Sequence, residues 1–162
     1  MTQADETSRR KAMVLSAQRT YAAMKSFSDT ATEGALKAGI DEEIVFLIKV
    51  RVSQMNGCPF CIDLHTREAL EAGAEARRLF ALDGWRGTPS FDPAERAALD
   101  LAEAVTRLRD GVVGDAVYGA ARDAFGADGV NHLIMIATVT NAWNRIAIAS
   151  HMLPGAPRPR LN

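Results

Sequence analysis

Two cysteines and one histidine stand within eight residues of each other and form the part of the chain best suited to chemistry. Cys58 and Cys61 are the only two cysteines among the 162 residues, and His65 follows four residues after Cys61. At these spacings on a helix, the three side chains project from nearly the same face. A histidine can take a proton from a neighbouring thiol near neutral pH, and two adjacent thiols can form a disulfide. The pattern indicates thiol redox chemistry.

The residues around Cys58 predict a turn between two helices. The apolar run over residues 44–55 has helical length, and it ends at Asn56 and Gly57, which tolerate the left-handed conformation of a helix C-terminus. Pro59 is favoured at the first position of the next helix. We therefore expect Cys58 at an N-cap. There, the first-turn amides and the helix dipole lower the pKa of a cysteine from roughly 8.5 to about 3.5–7.5.

Two alternatives stay open at this cluster. Cys58 has the helix dipole, whereas Cys61 lies closer to His65 in helical register, so either sulfur could attack first. The same residues also offer three zinc ligands. A closed structural site needs a fourth ligand, and the chain has no second cysteine pair to provide it. The candidates for that fourth ligand are Asp63, His132 and His151.

Length and composition predict a single soluble domain, residues 1–162. Hydrophobic residues make up 48% of the chain and charged residues 24%, and the net charge of −1 provides no basic field to attract nucleic acid. The N-terminus lacks the apolar segment of a signal peptide, and the longest apolar run, residues 133–139, is far shorter than the roughly 20 residues that span a bilayer. We expect a cytoplasmic protein without a membrane partner. Closely spaced cysteines in a reducing compartment favour chemistry over structure.

Apolar residues recur at three- and four-residue steps, as in amphipathic helices, and no strand-like alternation occurs. Asp92, Pro93 and Glu95 form a capping signal, and the loop before them should be pinned by Trp85 and Phe91. The last helix is apolar on most sides, which predicts burial on all sides, partly at an oligomer interface. The sequence thus predicts an all-α bundle of about seven to eight helices with tails at residues 1–7 and 154–162. The predicted helices span residues 8–26, 30–38, 41–55, 59–72, 75–82, 93–110, 115–125 and 130–152.

Over most of its length the sequence resembles the alkylhydroperoxidase AhpD-like group of the carboxymuconolactone decarboxylase superfamily. Because several separate motifs occur in the expected order, the resemblance is more specific than a bare Cys-x-x-Cys. The motifs are Ser53-Gln54-x-Asn56-Gly57-Cys58-x-x-Cys61-x-x-x-His65-Thr66-x-Glu68-Ala69, then Trp85, then Glu95-Arg96-Ala97-Ala98-Leu99, and finally Asn141-Ala142-Trp143-Asn144-Arg145.

The resemblance implies an AhpD-like all-helical fold that forms homo-oligomers, commonly trimers or hexamers. It also implies reduction of organic hydroperoxides, or thiol–disulfide exchange, by a peroxidase with Cys58 and Cys61 as the redox pair and His65 in proton transfer. The implied partners are a hydroperoxide and an external dithiol or disulfide reductant protein. Neither an organic cofactor nor a metal is expected.

One departure from the family pattern concerns the proton relay. In the family, the relay often begins with a glutamate twelve residues before the first cysteine, and here that position is Phe46. Glu43 lies one turn earlier on the same helix and Glu42 is next to it, so either could substitute, although both also suit a helix N-terminus. Two other functions compete with the peroxidase: a lactone-acid decarboxylase, which does not rely on a cysteine pair, and a non-enzymatic redox-sensing oligomer.

Overall fold

The structure of the protein, a computed structural model, describes residues 17–108 and 111–155. The predicted all-α fold is confirmed for this part of the chain, which holds helices and no strand. The predictions for residues 1–7 and 156–162 lie outside the described residues. No helix of the described part has both the length and the hydropathy needed to cross a membrane. The elements are α1 (Gln18–Lys37), α2 (Glu42–Asn56), α3 (Pro59–Glu71), α4 (Ala76–Ala81), a 3-10 helix (Leu82–Gly87), α5 (Pro93–Arg107) and α6 (Asp115–Ala149).

Helix α1 is continuous where the sequence predicted two separate helices, at residues 8–26 and 30–38. The predicted gap, residues 27–29, contains neither proline nor glycine, and an ion pair of 2.6 Å joins Lys25 before the gap to Asp29 within it. Because extending a helix costs much less than starting a new one, the two segments merge. The prediction of two helices is wrong in this respect, and its residues 8–16 lie outside the described part.

Helix α5 begins as the sequence predicted. Asp92 Oδ1 accepts the N–H of Glu95 at 2.8 Å, and Glu95 Oε2 accepts the N–H of Asp92 at 2.8 Å, while Pro93 occupies the first helical position. This reciprocal pair satisfies two backbone donors that a helix N-terminus leaves unpaired. Trp85 and Phe91 are both buried, which confirms that they pin the preceding loop. Part of that loop forms the 3-10 helix.

Helix α6 is interrupted at Gly126, where the predicted helix 115–125 was expected to end. Its φ of 74° and ψ of 173° lie in a region that glycine adopts without steric cost. The segment after Gly126 packs against buried residues of α1, α2 and α5 in the main hydrophobic core. Met135 and Ile148 nevertheless keep 39% and 43% of their surface exposed, so the predicted burial on all sides is not reached within one chain. Its buried apolar residues are Val130, Leu133, Ile136, Ala137, Val139 and Ala147.

A buried carboxylate joins α2, the 3-10 helix and α5. Glu103 is 1% exposed and accepts hydrogen bonds from Arg51 Nε at 2.7 Å, Trp85 Nε1 at 2.9 Å and Arg86 Nη1 at 2.8 Å. Arg107 Nη1 lies 2.9 Å from its second oxygen. Burial raises the pKa of a carboxyl, but hydrogen bonds from Trp85, Arg86 and Arg51 outweigh it and lower the pKa of Glu103 to about 2. This cluster ties α2, the 3-10 helix and α5 together.

Candidate functional site

The turn that carries Cys58 follows from the way α2 ends. Gly57 adopts the left-handed conformation, with φ of 63° and ψ of 38°. Its N–H donates to the carbonyl of Gln54 at 3.0 Å, and the N–H of Cys58 donates to the carbonyl of Ser53 at 3.0 Å. This pair of bonds is the Schellman motif, which satisfies the last carbonyls of a helix. The chain therefore turns sharply between α2 and α3.

Cys58 is the N-cap of α3, as the sequence predicted. Its backbone is extended, with φ of −92° and ψ of 96°, and Pro59 occupies the first helical position. Cys58 Sγ accepts the backbone N–H of Cys61 at 3.3 Å. The sulfur thus replaces the side-chain oxygen that usually caps a helix, and it lies at the positive end of the helix dipole.

Cys58 and Cys61 are joined by a disulfide, with their Cα atoms 5.3 Å apart. Cys58 is fully buried and Cys61 is 3% exposed. The pair packs in a small apolar cluster with Phe60 and Ala147, against which Met152 also packs. The structure therefore describes the oxidised form of the pair, with both sulfurs in an apolar setting.

A cavity of about 630 Å³ opens beside the disulfide, between α1, α2, α3 and the C-terminal part of α6. Its size is within the usual range for small-molecule sites. Cys61 and His65 line the cavity, whereas Cys58 lies behind Cys61 and does not. The structure thus brings two of the three predicted site residues to one surface. The apolar part of the wall includes Phe46, Phe60, Leu64 and Trp143.

Glu68 also lies at the cavity beside His65, although the sequence indicates it only as part of a motif. His65 is buried to 92%, and its Nδ1 lies 2.8 Å from Glu68 Oε2. The side chain of Glu68 lines the cavity and keeps 30% of its surface exposed. The spacing of three residues between His65 and Glu68 could have predicted this contact, because residues three apart on a helix are neighbours.

The acidic residues of α2 occupy different places. Glu43 forms an ion pair with Arg78, which also pairs with Glu95, so this carboxylate belongs to a structural cluster. Glu42 lines the cavity at the first residue of α2. Phe46, at the relay position, also lines it, with Lys49 Nζ 5.8 Å from the centre of its ring. Of the two predicted substitutes, Glu42 is the one at the cavity.

A network of amide side chains joins the end of α2 to α6. Asn56 Nδ2 donates to Asn141 Oδ1 at 2.9 Å and to Asn144 Oδ1 at 2.8 Å. Asn144 is fully buried, and its Nδ2 donates to Ser53 Oγ at 3.1 Å. These four polar residues of the motifs therefore hold the turn before Cys58 in place rather than line the cavity.

The C-terminal segment is attached to the same helix as the cysteines. The N–H of Gly155 donates to Asp63 Oδ2 at 3.0 Å, and Arg67 Nη2 lies 3.1 Å from that oxygen. The Gly155 hydrogen bond, and then that of Arg67, lower the pKa of the Asp63 carboxyl.

The zinc alternative finds no ligand set in the part of the chain that the structure describes. There, no group of three or more His, Cys, Asp and Glu side chains is arranged to hold a metal ion. Asp63 is held by Arg67 and Gly155. The His132 ring lies beside Gly34 of α1, where an added Cβ would come within 2.9 Å of its Cε1.

Two solved structures share the fold. One is from Agrobacterium tumefaciens, a protein of unknown function described as a candidate antioxidant defence protein AhpD. It has a TM-score of 0.81 and 24% identity, over 90% of this chain and 97% of that one. The other is an uncharacterized peroxidase-related protein from Silicibacter sp. TM1040, with a TM-score of 0.73 and 23% identity over 83% of this chain and 69% of that one. These likenesses confirm the AhpD-like fold.

Sequence comparison gives the family. The uncharacterized protein YdfG of Bacillus subtilis (strain 168) is 42% identical over 103 residues, which are 64% of this chain and 70% of YdfG. The uncharacterized protein YnjA of Escherichia coli (strain K12) is 33% identical over 70 residues, 43% of this chain and 38% of YnjA. The model of the carboxymuconolactone decarboxylase family matches residues 18–104, more than half of the chain. The chain therefore belongs to the carboxymuconolactone decarboxylase family.

Proposed function

We propose that the protein is a cysteine-based peroxidase that reduces organic hydroperoxides through a dithiol–disulfide cycle of Cys58 and Cys61. The observation that carries the proposal is the position of Cys61, which lies in the wall of a substrate-sized cavity beside His65 and is bonded to Cys58 behind it. The descriptions of the two structural neighbours, antioxidant defence and peroxidase-related, support the same class of reaction.

In the first step, reduced Cys61 attacks the hydroperoxide. His65 takes the proton of the Cys61 thiol, and the thiolate bonds to the terminal peroxide oxygen while the O–O bond breaks. The alkoxide that leaves receives the proton from His65 and becomes the alcohol. Cys61 is then a sulfenic acid, oxidised by the two electrons that the peroxide has gained. This order assigns the first attack to Cys61, because it lines the cavity and Cys58 does not.

In the second step, Cys58 resolves the sulfenic acid. Its sulfur attacks Cys61 Sγ, the S–O bond breaks, and the departing hydroxide takes the Cys58 proton to form water. The Cys61 N–H that contacts Cys58 Sγ at 3.3 Å, together with the helix dipole, stabilises the negative charge that develops on Cys58 as its proton leaves.

An external dithiol closes the cycle. One of its thiolates attacks Cys61 Sγ from the cavity, so that Cys58 leaves as a thiolate at the N-terminus of α3. The second thiol of the external dithiol then attacks the mixed disulfide, which releases Cys61 and leaves the external dithiol as a disulfide. In total, one hydroperoxide and one external dithiol become one alcohol, one water and one external disulfide.

The test is a thiol count on the reduced native protein. Addition of one equivalent of cumene hydroperoxide should remove two free thiols per chain, and dithiothreitol should sustain turnover. Cys61→Ser should abolish the reaction. Cys58→Ser, assayed without dithiothreitol, should consume one equivalent of hydroperoxide and retain a sulfenic acid on Cys61. Survival of both thiols in the presence of stoichiometric hydroperoxide would overturn the proposal.

We also propose that the chain assembles into a homo-oligomer, a trimer or a hexamer. The exposed apolar side chains of Met135 and Ile148 on α6 support this assembly, because the other large apolar side chains of that segment are buried or half-buried. Sedimentation velocity should give a mass three or six times that of the chain. A monomer at micromolar concentration would contradict it.

A further inference from the structure

The carboxylates near His65 have different partners, and these partners decide which of them can assist the histidine in proton transfer. The position from which the resembled family supplies a glutamate is occupied by Phe46, whose ring lies in the cavity wall under Lys49. A phenyl ring can neither accept nor release a proton. If His65 is assisted by an acid, that acid must come from another position.

The neighbouring acid on α2 is committed elsewhere. Glu43 forms an ion pair with Arg78, which is stacked over the ring of Phe91 at 5.3 Å and also binds Glu95. This cluster holds α2 to α4 and α5. Moving Glu43 to the histidine would break its ion pair with Arg78, which binds the carboxylates of Glu43 and Glu95 together.

Glu68 is already in contact with the histidine. The distance of 2.8 Å between its Oε2 and His65 Nδ1 is that of a good charge-assisted hydrogen bond. An ionised carboxylate has no proton to donate, so the proton of this bond must be on Nδ1. The bond therefore fixes the tautomer of the neutral imidazole and leaves Nε2 as its basic nitrogen.

We propose that Glu68 is the positioning residue of the redox site: it holds His65 in the Nδ1–H tautomer and so takes the place of the acid that Phe46 lacks. The inference rests on the proposed thiol chemistry. Because Glu68 and His65 are on the same helix as Cys61, the arrangement does not depend on the packing of α2 against α3. The carboxylate also stabilises the imidazolium that forms when Cys61 loses its proton.

The experiment follows the histidine and the thiol separately from peroxide turnover. In a Cys58→Ser background, Cys61 is the single thiol, and its alkylation by iodoacetamide at pH 7 reports how readily it loses its proton. The tautomer of His65 is measured by nitrogen-15 NMR of the imidazole, with a His65→Asn variant to assign the signals. The variants are Glu68→Ala, Glu68→Gln, Glu71→Gln and Glu42→Gln.

Glu68→Ala should convert His65 largely to the Nε2–H form and slow the alkylation about tenfold or more. Glu68→Gln keeps an acceptor oxygen but loses the charge, so it should retain the Nδ1–H tautomer with an intermediate rate. Glu71→Gln removes the same charge one turn further along α3 and should change the rate several-fold less than Glu68→Ala.

An unchanged His65 tautomer and an unchanged alkylation rate in Glu68→Ala would overturn the inference. It would also be overturned if Glu42→Gln slowed the alkylation as much as is expected for Glu68→Ala. If the native protein fails to turn over hydroperoxide while Glu68→Ala still alters both readouts, the proposed function fails and the role of Glu68 stands. Circular dichroism checks that each variant is folded.

Discussion

At the scale of single residues, the position of Cys58 depends on the backbone of Gly57. The left-handed φ of 63° at this residue ends α2 and directs the chain into α3, and an added Cβ would meet no atom within 4 Å. A substitution there is opposed only by the conformation itself, at a cost of about 1–2 kcal/mol for a residue with a Cβ.

Gly57→Ala should therefore lower the free energy of unfolding by about 1–2 kcal/mol in urea denaturation. Gly119→Ala is the matched control, because Gly119 lies within a helix, also has no atom within 4 Å of an added Cβ, and has no positive φ. Replacing such a glycine should raise stability by up to about 1 kcal/mol. Equal effects at both positions would contradict the argument from backbone conformation.

The residue scale also shows which parts of the site the sequence could predict. The N-cap position of Cys58 is predictable from local signals. Asn56 and Gly57 end one helix and Pro59 starts the next, and these preferences act within a few residues regardless of the fold. The contact between His65 and Glu68 is equally local, yet acidic residues at this spacing on a helix are so common that the pattern alone could not select Glu68.

At the scale of elements, the amide network between α2 and α6 holds the turn at Cys58. Asn144 is fully buried and both donates and accepts hydrogen bonds, so its loss leaves buried polar groups without a partner. Such groups cost about 1–3 kcal/mol each.

Asn144→Ala should lower the free energy of unfolding by about 1–3 kcal/mol, measured by urea denaturation. Asn131→Ala, at an exposed position on the same helix, should change it by less than about 0.5 kcal/mol. In a double-mutant cycle, Asn56→Ala and Asn144→Ala should be non-additive by about 0.5 kcal/mol or more. Additive effects would show that the network does not couple the two helices.

Apolar periodicity and capping residues in the sequence predict that helices form and roughly where they start. They do not predict whether two neighbouring helices are continuous or which helices pack together. The two predicted segments merge into α1 because extending a helix costs little. A short break in the apolar pattern does not show whether the helix stops there or continues. The bond between Asn56 and Asn144 joins residues 88 positions apart, and only the packed bundle brings them together. The cavity beside Cys61 has the same origin, since it lies between four helices.

At the scale of the whole molecule, the buried Glu103 links stability to acidity. Its pKa of about 2 in the folded chain is below the ordinary carboxyl value of 4.5. The unfolded chain therefore binds more protons between these two pH values, so the stabilisation is complete above pH 4.5 and is lost as the pH falls towards 2. The difference corresponds to about 3 kcal/mol.

Glu103→Gln should lower the stability at pH 7 by about 3 kcal/mol and should flatten the decline between pH 4.5 and 2. Asp100→Asn is the control, because Asp100 contacts the same Arg86 from an exposed position. It should leave that decline almost unchanged. Urea midpoints at a series of pH values measure both, and an acid decline that persists unchanged in Glu103→Gln would contradict the assignment.

The hydrogen bond between Gly155 and Asp63 has a practical consequence for protein production. Asp63 lies two residues after Cys61, so a purification handle or fluorescent protein fused a few residues after Gly155 begins close to a contact with the cysteine helix. Such a fusion disturbs the segment that includes Met152, which packs against the apolar cluster of Cys58, Phe60, Cys61 and Ala147. Cleavable fusions, with thiol reactivity compared before and after removal, are therefore the sound choice for assays of this chain.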